Sequence, residues 1–291
     1  MIFLLLSILC STAIYVIFSL FARYKIDTFQ AIVVNYFVAS SFGFLYTKAH
    51  NGGEYHFNEP WLLNAALVGI LFISLFYLMA ITSQRYGLTV TGIATKMSMI
   101  IPALFFLISD PEEGWELTKL AGIGLGMIAV IFTTVDKKSE KSTDKSALIP
   151  IVLFLGSGLL DLFLAMTEKN HLTTEIAYTD FVPVPFGVAA TIGVGVLIYR
   201  GIAQSKRVQF KNVIAGLILG LVNYGSIYFL LKILGSGLID RSSAIPANNM
   251  GVVALSALVG YLIFKEKLGN RKVIGIGLAL LSIVLLTFLA S

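Results

Sequence analysis

The chain contains an internal repeat, and each copy holds an odd number of long apolar segments. Residues 119–125 and 272–278 are identical at five of seven positions, and Glu113 and Glu266 each precede the repeated lysine by six residues. Both pairs are separated by 153 residues. If the five segments of each copy cross a membrane, the second copy must be inverted relative to the first. Inverted repeats build many secondary transporters, whose substrate site lies near the membrane midplane.

Composition indicates a membrane protein. Of the 291 residues, 57% are apolar and 13% are charged, whereas a soluble domain has about 25% charged residues. The apolar runs are roughly 18 to 25 residues long, enough to cross a bilayer core of about 30 Å. A soluble helical protein would need a polar face on most helices, and most runs here lack one. The sequence predicts an all-α membrane protein with ten spanning helices, at residues 2–22, 29–47, 61–84, 88–109, 117–135, 147–167, 176–199, 210–232, 242–264 and 272–290.

The predicted domains are two five-helix repeats, residues 1–136 and 147–291, joined by a charged linker at residues 137–146. The chain opens without a positively charged segment, so the first apolar run is interpreted as a spanning helix and not as a signal peptide.

Fifteen loop lysines and arginines lie on the side of the linker and five on the other. The positive-inside rule then puts the linker in the cytoplasm and both termini outside. We expect a multi-pass protein of the cell inner membrane.

Several function classes are disfavoured. The single cysteine, Cys10, excludes an intrachain disulfide and a cysteine metal cluster. The net charge of +5 lies in loops and suits anionic lipid headgroups, and no basic helix face predicts nucleic-acid binding. The sequence has no His-Glu-x-x-His motif, no paired carboxylates and no Gly-x-x-x-x-Gly-Lys-Ser/Thr loop. We therefore predict no catalytic residue, no metal, no cofactor and no ATP-driven transport by this chain.

Two charged residues fall inside predicted spans. Lys96 lies eight residues into the fourth span, about 12 Å from one surface, and Asp161 lies about 9 Å from the opposite surface. Charges at such depth face a polar cavity or a partner by default. Their axial offset of about 9 Å argues against direct contact. We expect Lys96 to hold a polar or anionic substrate group and Asp161 to exchange a proton. A structural ion pair between the two remains the alternative.

Uncharged polar residues complete the predicted substrate site. The 153-residue shift relates Lys96 to Asn249, which follows Asn248 in the ninth span, so both halves place a polar group at the same depth. The other predicted substrate-binding residues are Asn35, Tyr77, Asn223 and Tyr224. Asp180, near the start of its span, is expected to be solvated. Glycines four residues apart, as at Gly122 and Gly126, are suited to close helix packing in lipid.

The ends of the two halves resemble the drug/metabolite transporter superfamily, in its ten-helix form with two EamA-type repeats. The residues that carry the resemblance are Pro102, Glu113, Gly122, the segment Phe-Lys-Glu-Lys-Leu at 264–268, Gly275 and Gly277. The resemblance implies a central cavity that opens alternately to each side, and substrates such as amino acids, nucleotide sugars, sugar phosphates or amphipathic drugs. Many relatives keep both termini in the cytoplasm, which is the opposite of the orientation that the charge count predicts.

The leading functional hypothesis is a secondary transporter, an exporter or exchanger of small organic metabolites. The expected partners are a small-molecule substrate, the lipid bilayer and a proton or another coupling ion, with the chain a monomer or a homodimer. The competing hypothesis is an intramembrane enzyme or a lipid-handling membrane protein that uses Lys96 and Asp161. Movement of a solute in response to an ion gradient would distinguish the two.

Overall fold

The computed structural model describes residues 2–50, 59–109, 117–134, 148–172, 180–204, 207–235 and 241–288. Helices make up 90% of the structure, and no β-strand occurs within these ranges. The helices in the described ranges are α1 (Ile2–Arg23), α2 (Thr28–His50), α3 (Leu62–Tyr86), α4 (Leu88–Met97), α5 (Ile100–Ser109), α6 (Leu117–Thr134), α7 (Leu148–His171), α8 (Pro183–Gln204), α9 (Phe210–Gly235), α10 (Arg241–Leu262) and α11 (Asn270–Phe288). Glu113 and the predicted linker lie outside the described residues.

Seven helical segments within the described ranges are long and apolar enough to cross a membrane. They are Ile2–Arg23, Thr28–Ala49, Leu62–Tyr86, Leu88–Phe105, Leu148–Thr167, Pro183–Ile202 and Phe210–Leu230. Of the remaining three predicted spans, α6 and α10 contain shorter apolar stretches, Leu120–Thr133 and Ala247–Leu262. The predicted class, an all-α membrane protein, is therefore confirmed, and the chain has the helices of a multi-pass protein.

The fourth predicted span contains an irregular turn. Its regular hydrogen bonding is interrupted at Ser98 and Met99, between α4 and α5, and this turn is called the α4–α5 break below. The cause is Pro102, which has no N–H to donate to the Ser98 carbonyl four residues earlier. Instead, the N–H of Ile101 donates to the Ser98 carbonyl at 2.9 Å, and the N–H of Ala103 donates to the Met99 carbonyl at 3.3 Å. Ser98 keeps helical dihedrals, with φ of −56° and ψ of −23°, and Leu88–Phe105 remains long and apolar enough to cross a membrane. The predicted span at 88–109 is therefore present over most of its length, with an irregular turn that the sequence analysis did not predict.

The seventh predicted span, at 176–199, overlaps α8, which runs from Pro183 to Gln204 and so extends five residues past the predicted end. The predicted start, residues 176–179, lies outside the described residues. Proline suits the first turn of a helix, where its missing N–H has no intrahelical partner to lose. Asp180, expected to be solvated, is buried, with 5% of its surface exposed. Its neighbour Phe181 packs edge-on against Trp61, with 5.6 Å between the ring centroids. Phe181 and Trp61 are both buried, so Asp180, next to Phe181 in the chain, also lies below the surface.

The described chain forms two compact units, each built from both halves of the sequence. The first unit comprises Met1–Ser19, Leu78–Asp161 and Gly225–Ser291. The second comprises Leu20–Tyr77 and Leu162–Tyr224.

Within the first unit, α6 packs against α11 at small residues. The Ser282 hydroxyl donates to the Gly122 carbonyl at 2.7 Å. A Cβ at Gly275 would lie 3.2 Å from the Ala129 carbonyl oxygen. The 153-residue shift relates Gly122 to Gly275 and Ala129 to Ser282. The contact is therefore reciprocal. Gly122 of α6 contacts Ser282 of α11, and their equivalents under the shift, Gly275 of α11 and Ala129 of α6, also contact each other.

The N-terminus of α4 is held by a carboxylate from the loop before α11. Glu266 accepts hydrogen bonds from the N–H groups of Leu88 and Thr89 and, at 2.8 Å, from the Thr89 hydroxyl. A carboxylate stabilises this end of a helix because the first N–H groups are unpaired and the helix dipole is positive there. Gly87 precedes the helix with φ of +91°, a conformation that glycine adopts without steric cost. The repeated glutamate thus has a structural role that the sequence alone did not predict.

Replacing Glu266 should destabilise the first unit. We expect Glu266→Ala to lower the unfolding free energy by roughly 0.5–2 kcal/mol, the usual cost of removing a helix cap. The matched control is Lys267→Ala, which removes an exposed side chain from the same loop and should change stability little. Thermal unfolding in detergent measures both variants. Equal melting temperatures for the two would contradict the capping role.

In the second unit, aromatic side chains pack around the middle of α2. Tyr36 is fully buried, stacks against Phe72 of α3 and Phe186 of α8, and donates its hydroxyl to the Phe72 carbonyl at 2.7 Å. Glycines of α9 let this helix approach α2 closely. A Cβ at Gly220 would lie 2.8 Å from the Val38 Cβ.

Candidate functional site

The two predicted intramembrane charges lie beside the α4–α5 break. Lys96 is in the span Leu88–Phe105 and Asp161 is in the span Leu148–Thr167. The Ser98 hydroxyl lies 2.8 Å from Asp161 Oδ2 and 2.7 Å from the Thr95 carbonyl oxygen. A hydroxyl has one proton, so Ser98 donates to one of these acceptors at a time. The break therefore places a side-chain donor directly on the Asp161 carboxylate.

Lys96 and Asp161 are closer along the helix axis than the sequence predicted. Asp161 contacts Ser98, so the two residues lie at about the same height along the helix axis. Ser98 is two residues after Lys96, and two residues of helix rise by about 3 Å. The offset that this contact implies is smaller than the predicted axial offset of about 9 Å, which was counted from approximate span ends. The two charges interact electrostatically. Within the described part of the chain, however, no carboxylate oxygen lies within 4 Å of the Lys96 ammonium. Both side chains are half-buried.

A tyrosine of α1 extends this polar cluster. Tyr15 is 3% exposed, and its hydroxyl lies 2.7 Å from Thr95 Oγ1. The Thr95 hydroxyl already donates to the Thr91 carbonyl at 2.8 Å, so Tyr15 is the donor to Thr95. Sequence reasoning missed Tyr15, Thr95 and Ser98. Ser98 could have been proposed from the sequence, because it lies two residues after a charged residue within a span. Nothing in the sequence of α1 distinguishes Tyr15 as a site residue.

Asn248 and Asn249 lie at the same level as the break. Helix α10 packs against α4, and two contacts set their register. A Cβ at Gly92 would meet Ser256, and Asn249 Nδ2 lies 3.6 Å from the Met99 sulfur. From the first pair to the second, the residue of the fourth span advances by seven positions and the α10 residue goes back by seven. The two helices are therefore antiparallel in one continuous register. Continuing this register places Asn248 opposite residue 100. Asn248 is 2% exposed, and its side-chain oxygen has no hydrogen-bond partner among the described residues.

Four of the eight predicted residues therefore lie near the junction of α4 and α5. Lys96 lies two residues before Ser98, Asp161 accepts from Ser98, Asn249 contacts Met99 and Asn248 adjoins Asn249. The groups near this junction are an ammonium donor, a carboxylate within hydrogen-bond distance of Ser98 and an amide oxygen with unused acceptor capacity. Such a set can bind both the anionic and the cationic or hydroxyl groups of a small polar molecule. Across the described ranges, no group of three histidine, cysteine or acidic side chains could hold a metal ion.

The other four predicted residues belong to the second unit. Asn35 and Asn223 are buried and joined by a hydrogen bond of 3.1 Å from Asn223 Nδ2 to Asn35 Oδ1. Tyr224 packs on Phe42 at 5.5 Å. Tyr77 is 41% exposed and meets the edge of Phe29. The Asn35–Asn223 bond connects α2 to α9, and polar bonds of this kind join helices within a membrane.

The comparisons with known proteins give a relative but no family. A protein described as uncharacterized from Haemophilus influenzae is 28% identical to this chain, over 98% of this chain and 97% of the relative. No family model matches the sequence. The chain is thus similar along nearly its whole length to a bacterial protein whose description states no activity.

Proposed function

We propose that the chain is a secondary transporter that moves a small organic metabolite across the inner membrane by alternating access. The observation that carries the proposal is the pair of half-buried charges, Lys96 and Asp161, inside two candidate spans without a direct ion pair between them. A charge within a span is costly, and it is retained where it faces a substrate or ion pathway. A protein that served only as a membrane scaffold would gain little from these two residues.

The helix break supports the same proposal. A proline in a spanning helix leaves a backbone carbonyl without its usual donor, and neighbouring helices, serine or threonine side chains and local 3₁₀ turns satisfy such groups. Here the irregular turn at Ser98 and Met99 lies two residues after Lys96, and the Ser98 hydroxyl lies within hydrogen-bond distance of Asp161. In our proposal Lys96 holds an anionic or polar group of the substrate, and Asp161 couples transport to proton exchange.

The reciprocal contact between α6 and α11 supports the proposed architecture of ten spans in two inverted five-helix repeats. Two-fold relations produce contacts in which residue i meets residue j and the equivalent of j meets the equivalent of i. The contacts of Gly122 with Ser282 and of Gly275 with Ala129 follow this rule under the 153-residue shift. We further propose that the chain is an EamA-type member of the drug/metabolite transporter superfamily.

The proposal is tested first without variants. Purified protein is screened by thermal shift against amino acids, sugars, sugar phosphates, nucleotide sugars and amphipathic cations, and the stabilising compounds are then used in flux assays. We expect proteoliposomes to accumulate at least one of these compounds when a pH gradient is imposed, and empty liposomes to accumulate none. Chemical conversion of a stabilising compound without its movement would instead favour the intramembrane enzyme, and neither movement nor conversion of any stabilising compound would refute the transporter.

A further inference from the structure

The second unit carries an open apolar groove that the proposed transport site does not use. It has a volume of about 850 Å³ and is bordered by α2, α8, α9 and the connector between α8 and α9. The lining residues are Val33, Val34, Phe37, Val38, Val194, Leu197, Ile198, Gly201, Arg207, Val208, Val213 and Leu217. Arg207 is the charged residue in this lining, so the groove is apolar along its walls and cationic at one place.

The dimensions of the groove match one leaflet of a bilayer. Helix α2 begins at Thr28, and Val38 is the lining residue of α2 farthest from that end. From Gln30, which bonds the Arg207 carbonyl, to Val38 is eight residues of helix, or about 12 Å, close to half of a hydrocarbon core of about 30 Å. The connector that carries Arg207 lies at the same end, because Gln30 in the first turn of α2 donates to the Arg207 carbonyl at 3.1 Å. The groove therefore runs from the helix ends toward mid-membrane, with the arginine at its mouth.

The mouth of the groove is held in place by hydrogen bonds. The side-chain oxygen of Gln30 accepts from the N–H of Gln209 at 3.1 Å and from Asn212 Nδ2 at 2.7 Å. Asn212 in turn accepts from the N–H of Asp27 at 3.1 Å. These bonds fasten the connector to the start of α2. The backbone that presents Arg207 is thus fixed although its side chain is exposed.

Positive charge at the mouth exceeds negative charge. The Asp27 carboxylate is engaged by Arg200 at 3.4 Å and by the N–H groups at the start of α2. In the parts of the chain that the structure describes, Arg207 forms no ion pair. Lys211 donates to the Lys25 carbonyl at 2.9 Å, so a further ammonium group lies near this end. A guanidinium recognises a phosphate through parallel hydrogen bonds.

We propose that this groove is a binding site for an anionic phospholipid, with one acyl chain along the apolar walls and the phosphate on the Arg207 guanidinium. The occupant is a membrane lipid because the groove is apolar over a leaflet's depth and cationic only where headgroups lie.

A second apolar groove, of about 310 Å³ and lined by Phe44, Val184, Gly187, Val188, Thr191 and Ile192, has no charged side chain in its lining. It gives no basis for headgroup selection.

Native mass spectrometry of the full chain tests the site. The protein is released from nanodiscs that contain equal amounts of phosphatidylglycerol and phosphatidylcholine with identical acyl chains. We expect about fivefold more retained phosphatidylglycerol, the ratio that one basic residue near a membrane surface provides. Arg207→Gln should abolish the preference, and the exposed Arg23→Gln should keep it. Val194→Phe should reduce retention of both lipids, whereas Val196→Phe, similarly exposed on α8 but outside the groove, should not.

Three outcomes would overturn the proposal. One is equal retention of the two lipids by the unmodified protein, or an unchanged preference in Arg207→Gln. Another is displacement of the lipid by glycerol phosphate at equal concentration, which would indicate a phosphate site without an acyl-chain site. The last is a dimer that Val194→Phe dissociates, which would make the groove an interface between two copies of the chain. A thermal melt of each variant verifies that it is folded.

Discussion

Lys96→Ala is expected to lower solute flux at least about tenfold while leaving thermal stability close to that of the unmodified protein. A hydrogen bond from a charged group contributes about 1.5–3 kcal/mol, so losing one that the substrate requires has an effect of this size. Stability should change little, because within the described residues no carboxylate lies within 4 Å of the ammonium. Flux in proteoliposomes and melting temperature in detergent are measured on the same preparations. Lys232→Ala, which removes an exposed lysine of α9, is the control.

Asp161→Asn separates coupling from binding. The amide resembles a carboxyl group that stays protonated, so accumulation driven by a pH gradient should stop. Exchange of labelled for unlabelled substrate needs no net proton movement and should continue. Lys96→Ala should stop both processes.

A structural ion pair between Lys96 and Asp161 predicts a different result. Each single variant would lose about 3–5 kcal/mol of stability, as when one partner of a buried pair is removed, and the double variant would recover it.

The second large effect concerns the α6–α11 contact. We expect Gly126→Leu to destabilise the protein by about 1–3 kcal/mol, the usual range for overpacking. A Cβ at Gly126 would meet Ile100 and would lie 2.7 Å from the Ser282 hydroxyl, which donates to the Gly122 carbonyl. Gly124→Leu is the matched control, because no atom lies within 4 Å of its Cβ position. That change should be neutral or stabilising, since leucine favours helix more than glycine does.

The repeat predicts the same contrast on the partner helix. Gly275 is equivalent to Gly122 and lies against Thr133 and the Ala129 carbonyl, whereas Gly277 has open space around it. Gly275→Leu should therefore be destabilising and Gly277→Leu should not. Chemical denaturation and thermal melting both report the difference. A Gly126→Leu or Gly275→Leu variant as stable as its control would contradict the close packing of these two helices.

The sequence predicted the helices better than their interruptions. Long apolar runs of the right length appear as helices within a few residues of their predicted ends, as for α1 and α9. In lipid the backbone N–H and C=O groups have no water to bind, and a helix satisfies them within the segment. The break at Ser98 and Met99 was missed, since a proline within a span is often tolerated without a visible break. Asp180 was misjudged because its burial depends on the distant contact between Phe181 and Trp61.

The candidate site could be predicted only in part. Lys96 and Asp161 stood out because charge is rare in spans, and Asn249 followed from the repeat. The hydroxyl groups of Ser98 and Tyr15 could not be assigned, because serine and tyrosine are common in spanning helices and their partners lie 63 and 80 residues away in sequence. Asn35 and Asn223 were predicted as substrate-binding residues. The structure shows them buried and bonded to each other, and this bond depends on how α2 and α9 pack.

The most direct test of the transporter proposal is accessibility of the break from water on each side of the membrane. Cys10 is the single cysteine, so Cys10→Ser provides a background without thiols. Met99→Cys then places a thiol at the half-buried break, and Met97→Cys places one at a fully buried position two residues away. Alternating access predicts that a membrane-impermeant thiol reagent modifies the Met99→Cys protein both in right-side-out and in inverted vesicles, and spares the Met97→Cys protein. Modification from neither side would contradict the proposal.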